Sequence, residues 1–74
     1  MDALERGDNH QAATLFATFL GKHPGDRRAE DAAYLRAIAL QRCGDAVGTK
    51  DAAREYLRRY PYGFRRLEME QLSR

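Results

Sequence analysis

Asp26–Cys43, D-R-R-A-E-D-A-A-Y-L-R-A-I-A-L-Q-R-C, decides the fold. Steps of three and four positions gather Ala29, Ala33, Ala37, Leu40 and Cys43 on one row, and Tyr34 and Ile38 on a second. That period is helical, and two apolar faces on one helix require two partners. The helix therefore belongs in the middle of a stack. Its small row admits a neighbouring backbone at short range, while Tyr34 and Ile38 offer bulk to a second neighbour or to a groove. Cys43, in the last turn, reads as a small buried hydrophobe rather than a reactive thiol.

The flanks supply those partners. Asp8 or Asn9 caps a helix over His10–Lys22, with Ala12, Leu15, Phe16, Phe19 and Leu20 on one stripe and Gln11, Thr14, Thr18 and Lys22 facing water. Pro24 and Gly25 end it, and Asp26 is placed to cap the central helix. Glu30 and Asp31 suit that helix's positive end and offset Arg27 and Arg28. After Gly44-Asp45 a further helix runs to about Arg59, carrying Ala52, Ala53, Tyr56, Leu57 and Tyr60 on its stripe. Gly48 weakens its first turn and Thr49 is as good a cap as Asp45, so the sequence leaves its start open between those two caps. Phe64–Leu72 forms a last, fraying helix with Phe64, Leu67, Met69 and Leu72 on a looser apolar side. At the other end, Ala3–Arg6 reads as a helix tail stopped at Gly7.

Composition bounds what such a chain does. Seventy-four residues, 43% hydrophobic and 32% charged, make one small globular domain with neither a disordered tract nor an apolar run long enough to span a membrane. With one cysteine there is no internal disulfide, and His10 and His23 lack the further ligands of a zinc site. Met1–Asp8 does not have the basic-then-apolar order of a secretory signal, which leaves the compartment open between cytoplasm and cell envelope. The net charge of +2 is too small to imply nucleic acid. It is unevenly placed, with five basic and six acidic residues in 1–37 but eight and five in 38–74.

Three echoes share one offset. Gly7-Asp8 and Gly44-Asp45, Phe19-Leu20 and Tyr56-Leu57, and Pro24 and Pro61 are each 37 positions apart, a spacing typical of stacked helix pairs. At these residues the chain resembles a tetratricopeptide repeat. The family's glycine before its second helix, the small residue and the aromatic within that helix, and the closing proline fall on Gly7, Ala12, Phe16 and Pro24. The second copy keeps Ala37, Gly44 and Pro61, but places Thr49 and Ala53 where the small and aromatic residues are usual, and Ala33 where the first helix has a large aromatic. The period is about three residues longer than the family's. Tyr56-Leu57-Arg58-Arg59-Tyr60-Pro61 and Phe19-Leu20-Gly21-Lys22-His23-Pro24 are similar to phrases in the repeat domains of bacterial envelope scaffold proteins.

The resemblance implies an all-α, right-handed stack of antiparallel helix pairs with about five helices. These are the end of one repeat (1–24), a full repeat (26–61) and the first helix of a third (63–73), within a longer protein. It also implies a non-catalytic scaffold for a protein or peptide partner or for the rest of its own chain, with no cofactor. In that family the first helix of each pair lines the concave side, which makes Tyr34, Ile38, Gln41 and Arg42 the expected groove.

Two other readings compete with the groove. Arg54, Arg58, Arg59, Arg65 and Arg66, interleaved with Tyr56, Tyr60 and Tyr62, are residue types that grip phosphates and stack on bases. Against this polyanion patch, Tyr56 and Tyr60 share the apolar stripe, and Asp51, Glu55, Glu68 and Glu70 dilute the positive field. The carboxylates Glu68 and Glu70, with Asp26, Glu30 and Asp31, are the second. Residues two apart on a helix point in different directions, and no histidine accompanies either cluster, which disfavours metal or acid–base work. Finally, a truncated first helix leaves Leu15, Phe16 and Phe19 short of a partner, so the isolated 74-residue piece is expected to associate with itself through that face, which a preceding helix would fill in a longer protein.

Overall fold

In the computed structural model, which describes residues 8–74, regular structure is helical, with no strand among those residues. Helix α1 spans Asn9–Lys22, α2 Ala29–Arg42, α3 Ala46–Arg59 and α4 Arg66–Leu72. The expected helix tail at Ala3–Arg6 and its stop at Gly7 lie outside the described residues. Each helix packs on the next, α1 on α2, α2 on α3 and α3 on α4, so α2 lies between two neighbours as its two faces require.

Caps set the boundaries. The Asp8 carboxylate accepts from Gln11 N–H at 3.1 Å, and the Asp45 carboxylate accepts from Gly48 N–H at 2.8 Å, each satisfying an amide that the first turn leaves free. Asp45, not Thr49, therefore starts α3, while the Thr49 hydroxyl donates to the Asp45 carbonyl at 2.7 Å. Gly44 closes α2 with φ +81, a left-handed conformation that side-chain-bearing residues resist.

Asp26 does not cap α2. Its backbone N–H donates to the His23 carbonyl, its carbonyl accepts from Ala29 N–H, and its carboxylate accepts from Arg28 N–H at 2.8 Å. This side-chain turn competes with the helix, which begins two residues later than a cap at Asp26 would start it.

The core is built mostly of alanines: Ala12 and Ala13 of α1, Ala29, Ala32, Ala33, Ala37 and Ala39 of α2, and Ala52 and Ala53 of α3. Leu20, Leu40, Tyr56 and Met69 complete it. Small side chains let helix backbones approach closely, and their buried area is modest, so fit rather than bulk holds the stack. Ala32 and Ala39 lie off both rows read from the sequence, and the buried arc of α2 is accordingly wider than two narrow faces.

Two expectations fail at the ends of elements. Cys43 is exposed, because α2 stops at Arg42 and the Gly44 turn carries the chain away; its thiol donates to the Leu40 carbonyl at 3.3 Å. Phe64 and Leu67 do not join the apolar side of α4. Phe64 sits in the turn before the helix, 98% exposed, and Leu67 is 67% exposed, while Met69 is fully buried. With α4 starting at Arg66, the inward turn passes through Met69 and Leu72.

The offset of 37 is written into the backbone. The bounds of α3 are those of α1 moved by 37 residues, and α4 starts 37 residues after α2. The connections repeat bond for bond: His23 N–H to Phe19 O and Tyr60 N–H to Tyr56 O, both 2.8 Å, then Ala29 N–H to Asp26 O and Arg66 N–H to Gly63 O. The rings Phe19–His23 and Tyr56–Tyr60 also pair alike, 5.2 and 5.3 Å between centroids.

Candidate functional site

Helix α2 seats on α3 and α4 through two polar junctions. At the first, Glu30 Oε2 accepts from the Tyr56 hydroxyl at 2.6 Å and from Phe64 N–H at 2.9 Å, and the same hydroxyl accepts from Arg65 N–H at 2.9 Å. Burial, followed by the bond to Glu30, pushes the Tyr56 phenol up to about 12. Gly63 makes room for this junction: a Cβ there would lie 2.6 Å from Glu30 Oε2 and closer still to the Tyr56 hydroxyl. At the second junction, the Tyr34 hydroxyl donates to Glu68 Oε2 at 3.1 Å under the Arg65 guanidinium, which lies 4.5 Å from the ring centre. Burial and the Glu68 carboxylate raise the Tyr34 phenol as well.

The same seat recurs one repeat earlier, and there no helix among the described residues fills it. Phe16 and Phe19 of α1, Ala32 and Leu35 of α2, and Arg28 and Asp31 beside them line a hollow of about 470 Å³. Moved by 37, Phe19, Arg28 and Asp31 become Tyr56, Arg65 and Glu68, the three residues on which Glu30 and Tyr34 sit. Ala32 and Leu35 become Met69 and Leu72. Arg28 lies 5.5 Å over the Phe19 ring and pairs with Asp26 at 3.2 Å. The hollow has the size of a ligand site, but its lining is mostly apolar, with Arg28 and Asp31 as its charged members. That suits an inserted apolar side chain better than a polar metabolite.

Of the groove residues expected on α2, Tyr34 is engaged with α4 as described, and Ile38 is half-buried against the core. Gln41 and Arg42 are exposed, Gln41 beside a smaller hollow with Thr49 and Leu72. Sequence reading marked Leu15, Phe16 and Phe19 as short of a partner; Leu15 is 51% exposed and both phenylalanines line the open hollow. It did not place Arg28, Asp31, Ala32 or Leu35 at that face. The available signal was the repeat offset, which equates them with Arg65, Glu68, Met69 and Leu72.

The arginines of the polyanion patch are mostly paired. Glu55 holds both Arg58, at 2.5 Å, and Arg59, at 2.9 Å; Arg66 meets Glu70 at 3.3 Å and Arg65 meets Glu68 at 3.8 Å. The Arg58 hydrogen bonds hold the Glu55 carboxyl below the usual carboxylate range. Arg54 is exposed and makes no ion pair among the described residues. Tyr56 is fully buried and presents no face for stacking, whereas Tyr62 is 95% exposed. Among the described residues no three His, Cys, Asp or Glu side chains gather as a metal site, and no helix is long and apolar enough to cross a membrane. No family model, curated protein or solved structure matches the chain.

Proposed function

We propose that the chain is a non-catalytic interaction module, a right-handed stack of antiparallel helix pairs like a tetratricopeptide repeat, whose open seat on α1 and α2 takes a helical segment of a protein partner. The observation that supports it is the recurrence of one seat at two places 37 residues apart, filled by α2 on α3–α4 and, among the described residues, unfilled on α1–α2. A surface that receives a helix in one copy has the spacing to receive another in the next. The polyanion reading has less support, since the ion pairs of Arg58, Arg59, Arg65 and Arg66 already neutralise most of the patch.

A labelled peptide copying Ala29–Arg42 with Glu30→Leu tests the reading by fluorescence anisotropy. The peptide should bind, lose about tenfold in affinity against Leu35→Asp, and respond little to a rise from low to moderate salt. Failure of the peptide to bind, together with tight, steeply salt-dependent binding of an oligonucleotide, would transfer the function to Arg54 and its neighbours.

A further inference from the structure

Two aromatic rings stand almost wholly in water at one edge of the stack. Tyr62 is 95% exposed and Phe64 98%, on either side of Gly63 in the turn that joins α3 to α4. Single exposed apolar residues are ordinary, but two rings in one turn make a patch. Stacking does not account for them. Moved back by 37, Tyr62 and Phe64 become Gly25 and Arg27, and both of those are exposed although α3, α4 and the turn between them follow. A position that stays in water with the next repeat in place is not one that repeats bury. Leu67 differs, because its counterpart Glu30 is half-buried in the junction with Tyr56 and Phe64 N–H, which makes Leu67 a stacking position.

The surroundings are basic. The two turns share an edge, since Phe64 N–H donates to Glu30 in the first turn of α2 at 2.9 Å. Segments 22–28 and 58–66 hold seven basic side chains and one acidic one, Asp26, while the other residues hold six and ten. Arg28 pairs with Asp26, Arg65 with Glu68 and Arg66 with Glu70, and Arg58 and Arg59 share the one carboxylate of Glu55. Lys22 and Arg27 are exposed and make no ion pair among the described residues. Of the carboxylates in the first turn of α2, Glu30 is taken up by the Tyr56 hydroxyl and Phe64 N–H, and Asp31 lines the hollow on α1 and α2. The edge therefore keeps a positive excess around two bare rings.

We propose that this edge docks on an anionic lipid surface, with the Tyr62 and Phe64 rings entering the boundary between headgroups and acyl chains and Lys22, Arg27 and the arginines of 58–66 facing the headgroups. Phe64 has no polar group to keep in water, and Tyr62 has one hydroxyl at its tip; membrane interfaces accept both ring types. Pairing favours lipid over nucleic acid. A nucleic-acid backbone is held by guanidinium groups aimed at individual phosphates, and Arg28, Arg58, Arg59, Arg65 and Arg66 are already turned to carboxylates. A charged membrane acts through the field of the whole edge and requires no group to be freed. The contact uses none of Phe16, Phe19, Ala32 or Leu35, so its test is read separately from that of the seat on α1 and α2.

The chain has no tryptophan, so Phe64→Trp supplies a single reporter at an exposed position. Mixed with vesicles of equal parts phosphatidylcholine and phosphatidylglycerol, its emission should shift to the blue, and vesicles of phosphatidylcholine alone should give a weaker response. Co-sedimentation of the chain with the anionic vesicles should weaken about tenfold with Phe64→Ser and about fivefold with Arg27→Gln. Val47→Ser, which removes an exposed apolar side chain at the other end of α3, should change nothing. All three substitutions lie at exposed positions, and an unchanged circular dichroism spectrum checks that the fold is kept. Emission that stays in place with anionic vesicles, or co-sedimentation indifferent to Phe64→Ser, would overturn the lipid contact. Binding of a single-stranded oligonucleotide that Phe64→Ser abolishes, with no binding to vesicles, would overturn it in favour of nucleic acid.

Discussion

The Tyr56 hydroxyl donates to Glu30 across 26 sequence positions at 2.6 Å, so one buried phenol ties α3 to α2 and, through Arg65 N–H, to the turn that starts α4. Removing it leaves a carboxylate and a backbone amide short of a partner. Tyr56→Phe should lower stability by about 1–3 kcal/mol near neutral pH, measured by urea unfolding. The phenol titrates at about 12 in the folded chain, above its ordinary value near 10. Its neutral form is therefore favoured by folding. The associated stability is complete below pH 10 and is lost as pH rises from 10 towards 12, and the gap between wild type and Tyr56→Phe should narrow over that window.

Gly63 and Gly21 give opposite expectations. A Cβ at Gly63 would meet Glu30 Oε2 at 2.6 Å and press on the Tyr56 hydroxyl, whereas one at Gly21, inside α1, meets nothing within 4 Å. Gly63→Ala should destabilise by about 1–3 kcal/mol through the broken junction. Gly21→Ala should stabilise by about 0.5–1 kcal/mol through helix propensity. Thermal unfolding of the two variants checks the sign of each.

Ala37 is fully buried in α2, the helix with neighbours on both sides. Ala37→Leu should cost about 1–3 kcal/mol by overpacking a close helix contact. An unchanged melting temperature would remove α2 from the middle of the stack.

Cys43 is exposed at the end of α2, so a thiol reagent should label it in the native protein at a rate close to that in denaturant. Slow native labelling with fast labelling in denaturant would restore it to the core.

What the sequence made legible was local or periodic. Asp45 and Gly44 stand where capping chemistry puts them, and the equal spacing of Gly7, Phe19 and Pro24 from Gly44, Tyr56 and Pro61 anticipated helices that repeat at 37 residues. What stayed hidden depended on contacts between distant residues. Glu30 looked like a helix-dipole charge until the fold brought Tyr56 and Phe64 N–H to it. Asp26 is a good cap by residue type, but its carboxylate holds a turn through the Arg28 amide and α2 begins only after that turn. Periodicity placed Cys43 and Phe64 on apolar rows, and helix ends one or two residues short of them put both in water. The groove was half visible, since Phe16 and Phe19 were marked by their missing neighbour while Ala32 and Leu35 belong to a face of α2 that no row singled out.

Residue-resolved NMR of the chain titrated with the Ala29–Arg42 peptide carrying Glu30→Leu tests the central claim most directly, that the open seat on α1 and α2 is the binding surface. The account predicts the largest shift changes at Phe16, Phe19, Ala32 and Leu35, with Arg54, Arg58 and Arg59 unmoved. Changes centred on those arginines, or none at peptide excess, would contradict it.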